Sequence, residues 1–111
     1  MKKRIYLFCS AGMSTSILAN KMQTCANNYN LPIEVKAFPL SDIDTIVKSL
    51  NPDCILLGPQ VKYTYEDTKK MYGNDGTPVA VIDTNDYALM KAENVLKMAV
   101  VLVKNSNKNK W

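Results

Sequence analysis

Length, composition and charge limit what this chain can be. Its 111 residues fit a single domain, and 47% of them are hydrophobic, which is enough to bury a core and disfavours a disordered chain. No apolar stretch approaches the roughly 20 residues of a membrane-spanning helix, and the apolar run after the basic start is too short for a secretory signal. The net charge of +4 includes several tail lysines, and no stripe of basic and aromatic residues indicates nucleic-acid binding. We expect a cytoplasmic protein with no direct membrane insertion and no nucleic-acid partner.

Segments with strand and helix patterns alternate along the chain. The predicted strands are short and apolar: residues 4–8, 33–38, 54–57 and 79–82. The predicted helices are residues 14–29, a segment that Ser41 would cap and that ends at Leu50, a weaker stretch over 63–72, and one last helix from Thr84 or Asn85 to about residue 103. Four such units predict an α/β fold, with a four-stranded, mostly parallel open sheet and helices on both faces. Residues 1–104 would form the domain, and residues 105–111 a polar, frayed C-terminal tail.

The chain contains three cysteines and no histidine. No two cysteines have the C-x-x-C spacing, so we expect no disulfide scaffold, no metal site and no cofactor. Cys25 lies in the apolar stripe of the first predicted helix, with Tyr29 at its end, and Cys54 begins an apolar strand. Core packing is the favoured role of both cysteines. Any histidine chemistry must come from a partner.

Cys9 stands apart from the other two cysteines because it joins a strand to a loop of small residues. A thiol at this point would lie beside unpaired backbone N–H groups and the positive end of a helix dipole, which favour negative charge and can cradle an anion. Gly12 can adopt a positive φ, so that successive N–H groups point inward. We therefore predict that Cys9 carries a phosphoryl group. The residues predicted to bind that group are Ser10, Ala11, Gly12, Met13, Ser14, Thr15 and Ser16.

The loop resembles that of the low-molecular-weight protein tyrosine phosphatases, in which cysteine, five residues and arginine are followed by serine or threonine. The sheet predicted above resembles the fold of the same family. Thr15 occupies the arginine position. Arginine would clamp the phosphate and stabilise the transferring group, so its replacement predicts slow hydrolysis of a phosphocysteine. That property suits a phosphoryl carrier better than a phosphatase.

A wider resemblance covers residues 4–103. The segment from Ile5 to Ser16 is similar to the start of lactose/cellobiose-type enzyme IIB proteins of the bacterial phosphoenolpyruvate-dependent sugar phosphotransferase system. Further matches are Ala37-Phe38-Pro39, Leu56-Leu57-Gly58-Pro59-Gln60-Val61 and Val81-Ile82-Asp83. The resemblance implies that Cys9 accepts phosphoryl from a phosphohistidine of enzyme IIA. Cys9 would then pass it to a sugar held by the membrane component, enzyme IIC.

The same resemblance implies a β-linked disaccharide as the sugar, such as cellobiose, chitobiose or lactose. It also implies that exposed side chains around the loop form the docking surface. Met13 is our candidate for an apolar contact there, with core packing as the alternative. The chain would work in the cytoplasm and associate with the membrane permease component.

Supporting residues are expected at two other strand ends. Gln60 would touch the phosphoryl group or a partner, or else cap the third helix. Asp83 and Asp86 follow the last strand, where the phosphatase-like fold places a general acid, and capping of the last helix is the favoured alternative for Asp83. Four tyrosines would line a partner surface or, more commonly for this residue type, be half-buried: Tyr63, Tyr65, Tyr72 and Tyr87.

Three other functions remain open from the residues alone. One is a small phosphatase-like hydrolase, which the absence of the loop arginine disfavours. A second is an arsenate-reductase-like redox protein, which would need Cys25 or Cys54 to meet Cys9. The third is a binding module that uses the loop only to hold an anion.

Overall fold

The sheet places Cys9 at the end of a central strand. The computed structural model describes residues 2–10 and 13–106, and in this part of the chain four parallel strands pair in the order β2-β1-β3-β4. They are β1 (Lys3–Cys9), β2 (Ile33–Pro39), β3 (Cys54–Leu57) and β4 (Val79–Val81). The strand order reverses between β1 and β3, and in such sheets ligands bind beyond the carboxyl ends of the strands at that reversal. The prediction of an α/β fold with a mostly parallel sheet is confirmed.

Five α-helices connect or follow the strands within the described residues. They are α1 (Met13–Asn28), α2 (Ile43–Leu50), α3 (Tyr65–Tyr72), α4 (Thr84–Ala88) and α5 (Ala92–Lys104). Two 3₁₀ helices, Leu40–Asp42 and Pro59–Thr64, precede α2 and α3. The first part of the third predicted helix, residues 63–64, therefore belongs to a 3₁₀ helix.

The pleat of β1 divides the core between two faces of the sheet. Ile5 and Leu7 belong to one cluster of buried side chains, together with residues of α1 and α5. Tyr6 and Phe8 belong to a second cluster, against which residues of α2 and α3 pack. Because successive strand residues point to opposite faces, helices cover both faces, as predicted.

The prediction of one last helix is wrong, because the chain breaks between α4 and α5. Met90 has a left-handed conformation with φ 52°, which an α-helix does not tolerate. The backbone N–H of Lys91 donates to the carbonyl of Asp86 at 2.8 Å, and the N–H of Ala92 donates to the carbonyl of Met90 at 2.8 Å. The break makes α4 a separate short helix, directly after β4.

Two local predictions about the other helices are also wrong. Ser41 lies within a 3₁₀ helix and does not cap α2, whose N-cap residue is Asp42, without a side-chain hydrogen bond. Tyr29 lies beyond α1 and is 58% exposed, and its hydroxyl donates to Glu93 at 3.0 Å. Cys25, in the same stripe, is half-buried and packs against the core.

The last described residues lie against the domain. Ser106 is buried, and its hydroxyl donates to the carbonyl of Gly76 at 3.0 Å. Residues 107–111 of the predicted tail lie outside the described residues, so the predicted division at residue 104 stays a prediction. Within residues 2–10 and 13–106, no helix has the length and apolar character needed to cross a membrane.

Candidate active site

Cys9 is buried at the carboxyl end of β1, opposite Pro39 of β2. β1 and β3 are direct neighbours, and the backbone N–H of Gly58, just after β3, donates to the carbonyl of Phe8 at 2.8 Å. This pairing brings the end of β3, where Gln60 is a predicted supporting residue, beside the Cys9 thiol.

Gly58 allows the backbone after β3 to approach Cys9 closely. A Cβ atom added at Gly58 would lie 3.0 Å from Cys9 Cβ and 2.8 Å from Gln60 Oε1. Gln60 is itself exposed, and its amide oxygen folds back over Gly58. Gln60 is a residue of the 3₁₀ helix Pro59–Thr64, whose N-cap residue is Gly58, and that cap has no side-chain hydrogen bond. The structure therefore places the Gln60 side chain against Gly58, which adjoins Cys9, and the supporting role of Gln60 stays a prediction.

The Thr15 hydroxyl contacts the Cys9 sulfur directly. Thr15 lies in the first turn of α1, is 1% exposed, and its Oγ1 donates to Cys9 Sγ at 2.8 Å. The same oxygen lies 2.8 Å from the hydroxyl of Tyr87. At the position where phosphatases carry arginine, this chain therefore has Thr15, whose hydroxyl faces the Cys9 sulfur.

The other predicted loop residues differ in their placement. Ser10, Met13, Ser14 and Ser16 are exposed, and Met13, at 79%, does not pack in the core. The exposure of Met13 favours the docking interpretation over core packing. Ala11 and Gly12 lie outside the described residues, and so does the predicted positive φ of Gly12.

A cleft of about 390 Å³ opens over the thiol, and uncharged residues line it: Cys9, Ser10, Thr15, Ser16, Ala37, Phe38 and Pro39. Because its lining contains no lysine or arginine, an anion here would depend on hydroxyls, backbone N–H groups and the start of α1. A larger groove of about 920 Å³ lies between α1 and the α4–α5 connection, and Cys25 lines it. The smaller cleft is the candidate active site because it contains the Cys9 thiol.

Asp83 caps α4, as the favoured alternative expected. Its Oδ2 accepts a hydrogen bond from the backbone N–H of Asp86 at 3.0 Å, and its carbonyl accepts one from the N–H of Tyr87 at 2.9 Å. Asp86 in turn accepts a hydrogen bond from the Asn94 side chain at 3.3 Å. Asp83 therefore orients the helix that holds Tyr87 against Thr15, and its role as a general acid stays a prediction.

Tyr87 is the site residue that sequence reasoning missed. Its exposed fraction is 8%, and its hydroxyl contacts that of Thr15. The predictions of a partner-surface or a half-buried position are therefore wrong for Tyr87. Tyr63 is 78% exposed, and Tyr65 and Tyr72 are half-buried. One signal was available: Tyr87 lies one turn into the helix that follows β4, at the carboxyl end of the sheet, where Cys9 also lies.

Cys54 differs chemically from Cys9 because it is fully buried at the start of β3. Burial, and then the negative charge of Asp53, raises the pKa of the Cys54 thiol to about 12. A thiol buried in this way is an inert core group, as the sequence predicted.

The raised pKa of Cys54 makes folding stability depend on pH in alkaline solution. Above pH 9 the unfolded state loses the Cys54 proton and the folded state keeps it, so we expect the free energy of unfolding to fall by about 1 kcal/mol per pH unit near pH 10. The contribution is fully present below the unfolded pKa and disappears as the pH rises through the folded value. We expect urea unfolding from about pH 8 to 11 to show that the free energy of unfolding falls less steeply with pH for Cys54→Ala than for the wild type. Equal slopes for the two proteins would contradict this account.

Comparison with known proteins identifies the family. A family model described as the lactose/cellobiose-specific IIB subunit of the PTS system matches residues 4–98. The chain belongs to this family. It is therefore a IIB phosphotransferase component of the sugar phosphotransferase system, of the type that serves lactose- and cellobiose-like sugars, and the predicted resemblance is confirmed.

Individual IIB relatives agree with this assignment. The cellobiose-specific EIIB component of Lactococcus lactis subsp. lactis is 40% identical over 100 residues, which cover 87% of this chain and 93% of the relative. The galactose-specific EIIB component of Lactococcus lactis subsp. cremoris has the same identity and coverage.

Solved IIB structures share the fold. The cellobiose-specific IIB component from Borrelia burgdorferi, at 29% identity, superposes with a TM-score of 0.76 and covers 100% of this chain and 98% of its own. The lactose-specific IIB domain from Streptococcus pneumoniae, at 16% identity, has a TM-score of 0.78, with 91% and 97% covered, and shows the fold alone. The phosphatase-like architecture expected of this IIB chain is confirmed.

Proposed function

We propose that Cys9 carries a phosphoryl group from a phosphohistidine of enzyme IIA to a sugar held by enzyme IIC. The observation that supports this most is the Cys9 sulfur itself. It lies under an uncharged cleft at the start of α1, with the Thr15 hydroxyl donating to it at 2.8 Å. A donor aimed at sulfur stabilises the negative charge that a nucleophilic thiolate needs.

The first half-reaction is a transfer from nitrogen to sulfur. The Cys9 thiolate attacks phosphorus, the S–P bond forms as the P–N bond breaks, and the bonding electron pair stays on the imidazole nitrogen of the partner. That nitrogen then takes a proton from solvent, which balances the proton that the Cys9 thiol released to solvent when it formed the thiolate. The chain has no histidine of its own, which agrees with a donor imidazole that belongs to enzyme IIA.

The second half-reaction returns the electron pair to sulfur. A sugar hydroxyl oxygen attacks phosphorus, the O–P bond forms, the S–P bond breaks, and the hydroxyl proton leaves to a base on the acceptor side.

Loop hydroxyls and backbone N–H groups would hold the equatorial oxygens of the phosphoryl group. The hydroxyls are those of Ser10, Ser14, Thr15 and Ser16, and the N–H groups of the loop include those of Ala11, Gly12 and Met13. Gln60 and Asp83 would act in support, Gln60 beside Gly58 and Asp83 through α4.

The cleft favours a carrier over a phosphatase. Thr15 stands where a phosphatase loop has arginine, and no side chain lining the cleft is charged. Without a guanidinium to stabilise the transferring group, attack by water is slow, and the phosphocysteine persists until an acceptor arrives.

We propose that the sugar is a β-linked disaccharide such as cellobiose, chitobiose or lactose. The chain would work in the cytoplasm and associate with the permease through the surface around Met13.

The test of this function is a complete cycle of phosphorylation and release. The chain is mixed with phosphoenolpyruvate, enzyme I, the histidine carrier protein and a matched enzyme IIA, and its intact mass is measured. We expect one phosphoryl group per chain, retained in buffer and removed when vesicles with enzyme IIC and cellobiose are added. Cys25→Ser is the matched control and should behave as the wild type.

Two outcomes would contradict the proposed function. One is no gain of mass with a donor that phosphorylates another IIB protein. The other is release of the phosphoryl group to water without an acceptor as fast as with one, which would indicate a phosphatase.

A further inference from the structure

The buried hydroxyl of Tyr87 belongs to a chain of hydrogen bonds that ends on the Cys9 sulfur. Thr15 Oγ1 donates to Cys9 Sγ at 2.8 Å and lies 2.8 Å from the Tyr87 hydroxyl. Thr15 and Tyr87 are 1% and 8% exposed. Both contacts are thus shielded from water that would otherwise compete for them.

The number of protons fixes the direction of this chain. A threonine hydroxyl has one hydrogen and two acceptor lone pairs. Because the Thr15 hydrogen is directed at sulfur, the contact with Tyr87 requires that the phenol donate to Thr15 Oγ1. Two O–H groups therefore point the same way, from Tyr87 to Thr15 and from Thr15 to Cys9.

The fold holds the phenol in this place. Tyr87 lies on α4, where the backbone N–H of Tyr87 donates to the Asp83 carbonyl at 2.9 Å and the Asp83 side chain caps the helix at 3.0 Å. The left-handed Met90 ends the local helix and separates α4 from α5. Because the predicted last helix is broken, Tyr87 lies on a short helix that is separate from α5.

We propose that Tyr87 is a positioning residue that commits the Thr15 proton to the Cys9 sulfur. By donating to Thr15 Oγ1, it occupies that oxygen as an acceptor and strengthens the threonine hydroxyl as a donor to sulfur, since hydrogen bonds in series polarise one another. The inference rests on the proposed role of Cys9. In that role sulfur is negative before it accepts phosphoryl and again when it releases it, and a fixed donor stabilises both states.

The test measures the alkylation of Cys9 by iodoacetamide at about pH 7, followed by peptide mass spectrometry, so that no partner protein is needed. The thiolate is the reacting form, and a donor increases its fraction more than it weakens its nucleophilicity. We expect Tyr87→Phe to slow Cys9 alkylation about threefold, the size expected from loss of one buried hydrogen bond. Tyr72→Phe is the control, because it also removes a hydrogen-bonded phenol hydroxyl, one that contacts Asp44 outside the cleft.

Threonine variants separate positioning from packing. Tyr87→Phe should have the same threefold effect in a Thr15→Ser background, which keeps the hydroxyl, and no effect in a Thr15→Val background, which removes it. Thr15→Ala replaces Thr15→Val if the valine variant does not fold. A purely structural role of Tyr87 would give the same slowing in every background.

The outcomes are distinct from those of the proposed function. Equal slowing with and without the Thr15 hydroxyl, or no slowing in the otherwise wild-type chain, would overturn the inference. Slowing only where the Thr15 hydroxyl is present would support it. If that pattern appears but the wild type takes up no phosphoryl from enzyme IIA, the hydrogen-bond chain stands and the carrier function is wrong.

Discussion

Replacement of Cys9 by serine is expected to abolish phosphoryl uptake and leave the fold intact. A serine hydroxyl needs a base to become a nucleophile, and the chain has no histidine and no charged group in the cleft lining to act as one. We expect the rate of uptake from phosphorylated enzyme IIA to fall by at least about 10³-fold, as is common for removal of a nucleophile. The measurement is the time course of intact mass after mixing with the donor.

Cys25→Ser provides the comparison for Cys9→Ser. Cys25 is half-buried on α1 and lines the larger groove, so its replacement removes a thiol without touching the cleft. We expect uptake by this variant to equal that of the wild type, with circular dichroism spectra of all three proteins superimposable. Uptake by a folded Cys9→Ser variant at a rate near the wild-type rate would disprove the role of Cys9.

Replacement of Phe8 by alanine is expected to cause the largest loss of stability. Phe8 is fully buried in β1, its ring stacks on that of Phe38 with centroids 5.7 Å apart, and the adjacent residue is Cys9. Removal of a buried aromatic ring costs the transfer free energy of the ring and leaves a cavity, together about 3–5 kcal/mol of unfolding free energy. Urea unfolding monitored by circular dichroism measures this difference.

Phe8→Leu separates the effect of the cavity from that of the aromatic contact. Leucine keeps much of the apolar volume, so we expect it to cost clearly less than alanine, about 1.5 kcal/mol. If Phe8→Ala cost less than 1 kcal/mol, the packing of β1 against the second cluster would be wrong, and with it the placement of Cys9.

The sheet was predictable because its strands carry simple patterns. Wholly apolar runs such as Cys54–Leu57 are typical of strands buried on both faces, and this run is β3. The alternation of β1 side chains between two clusters follows directly from the pleat. What the pattern does not contain is a local backbone exception such as Met90, a residue type that rarely adopts a positive φ. For that reason the division between α4 and α5 was missed.

The thiol and its loop were predictable as a candidate site because a cysteine at a strand end is followed by small residues and a helix start, a combination that can leave backbone N–H groups open to an anion. The contact between Thr15 and Tyr87 was not, because it joins residues 72 positions apart. Helical spacing identifies tyrosines near an apolar face but does not tell which hydroxyl turns toward the sheet end. The pattern placed Tyr29 on an apolar helix face and Tyr87 on a partner surface or half-buried, yet Tyr29 is exposed and Tyr87 is buried.

The most direct test of this account is to locate the phosphoryl group on the chain. The wild-type protein is phosphorylated by a matched enzyme IIA, digested under conditions that preserve phosphothiols, and fragmented in a mass spectrometer. The account predicts a single phosphoryl group on the Cys9 side chain. A phosphoryl group on any other residue, or none with an active donor, would contradict it.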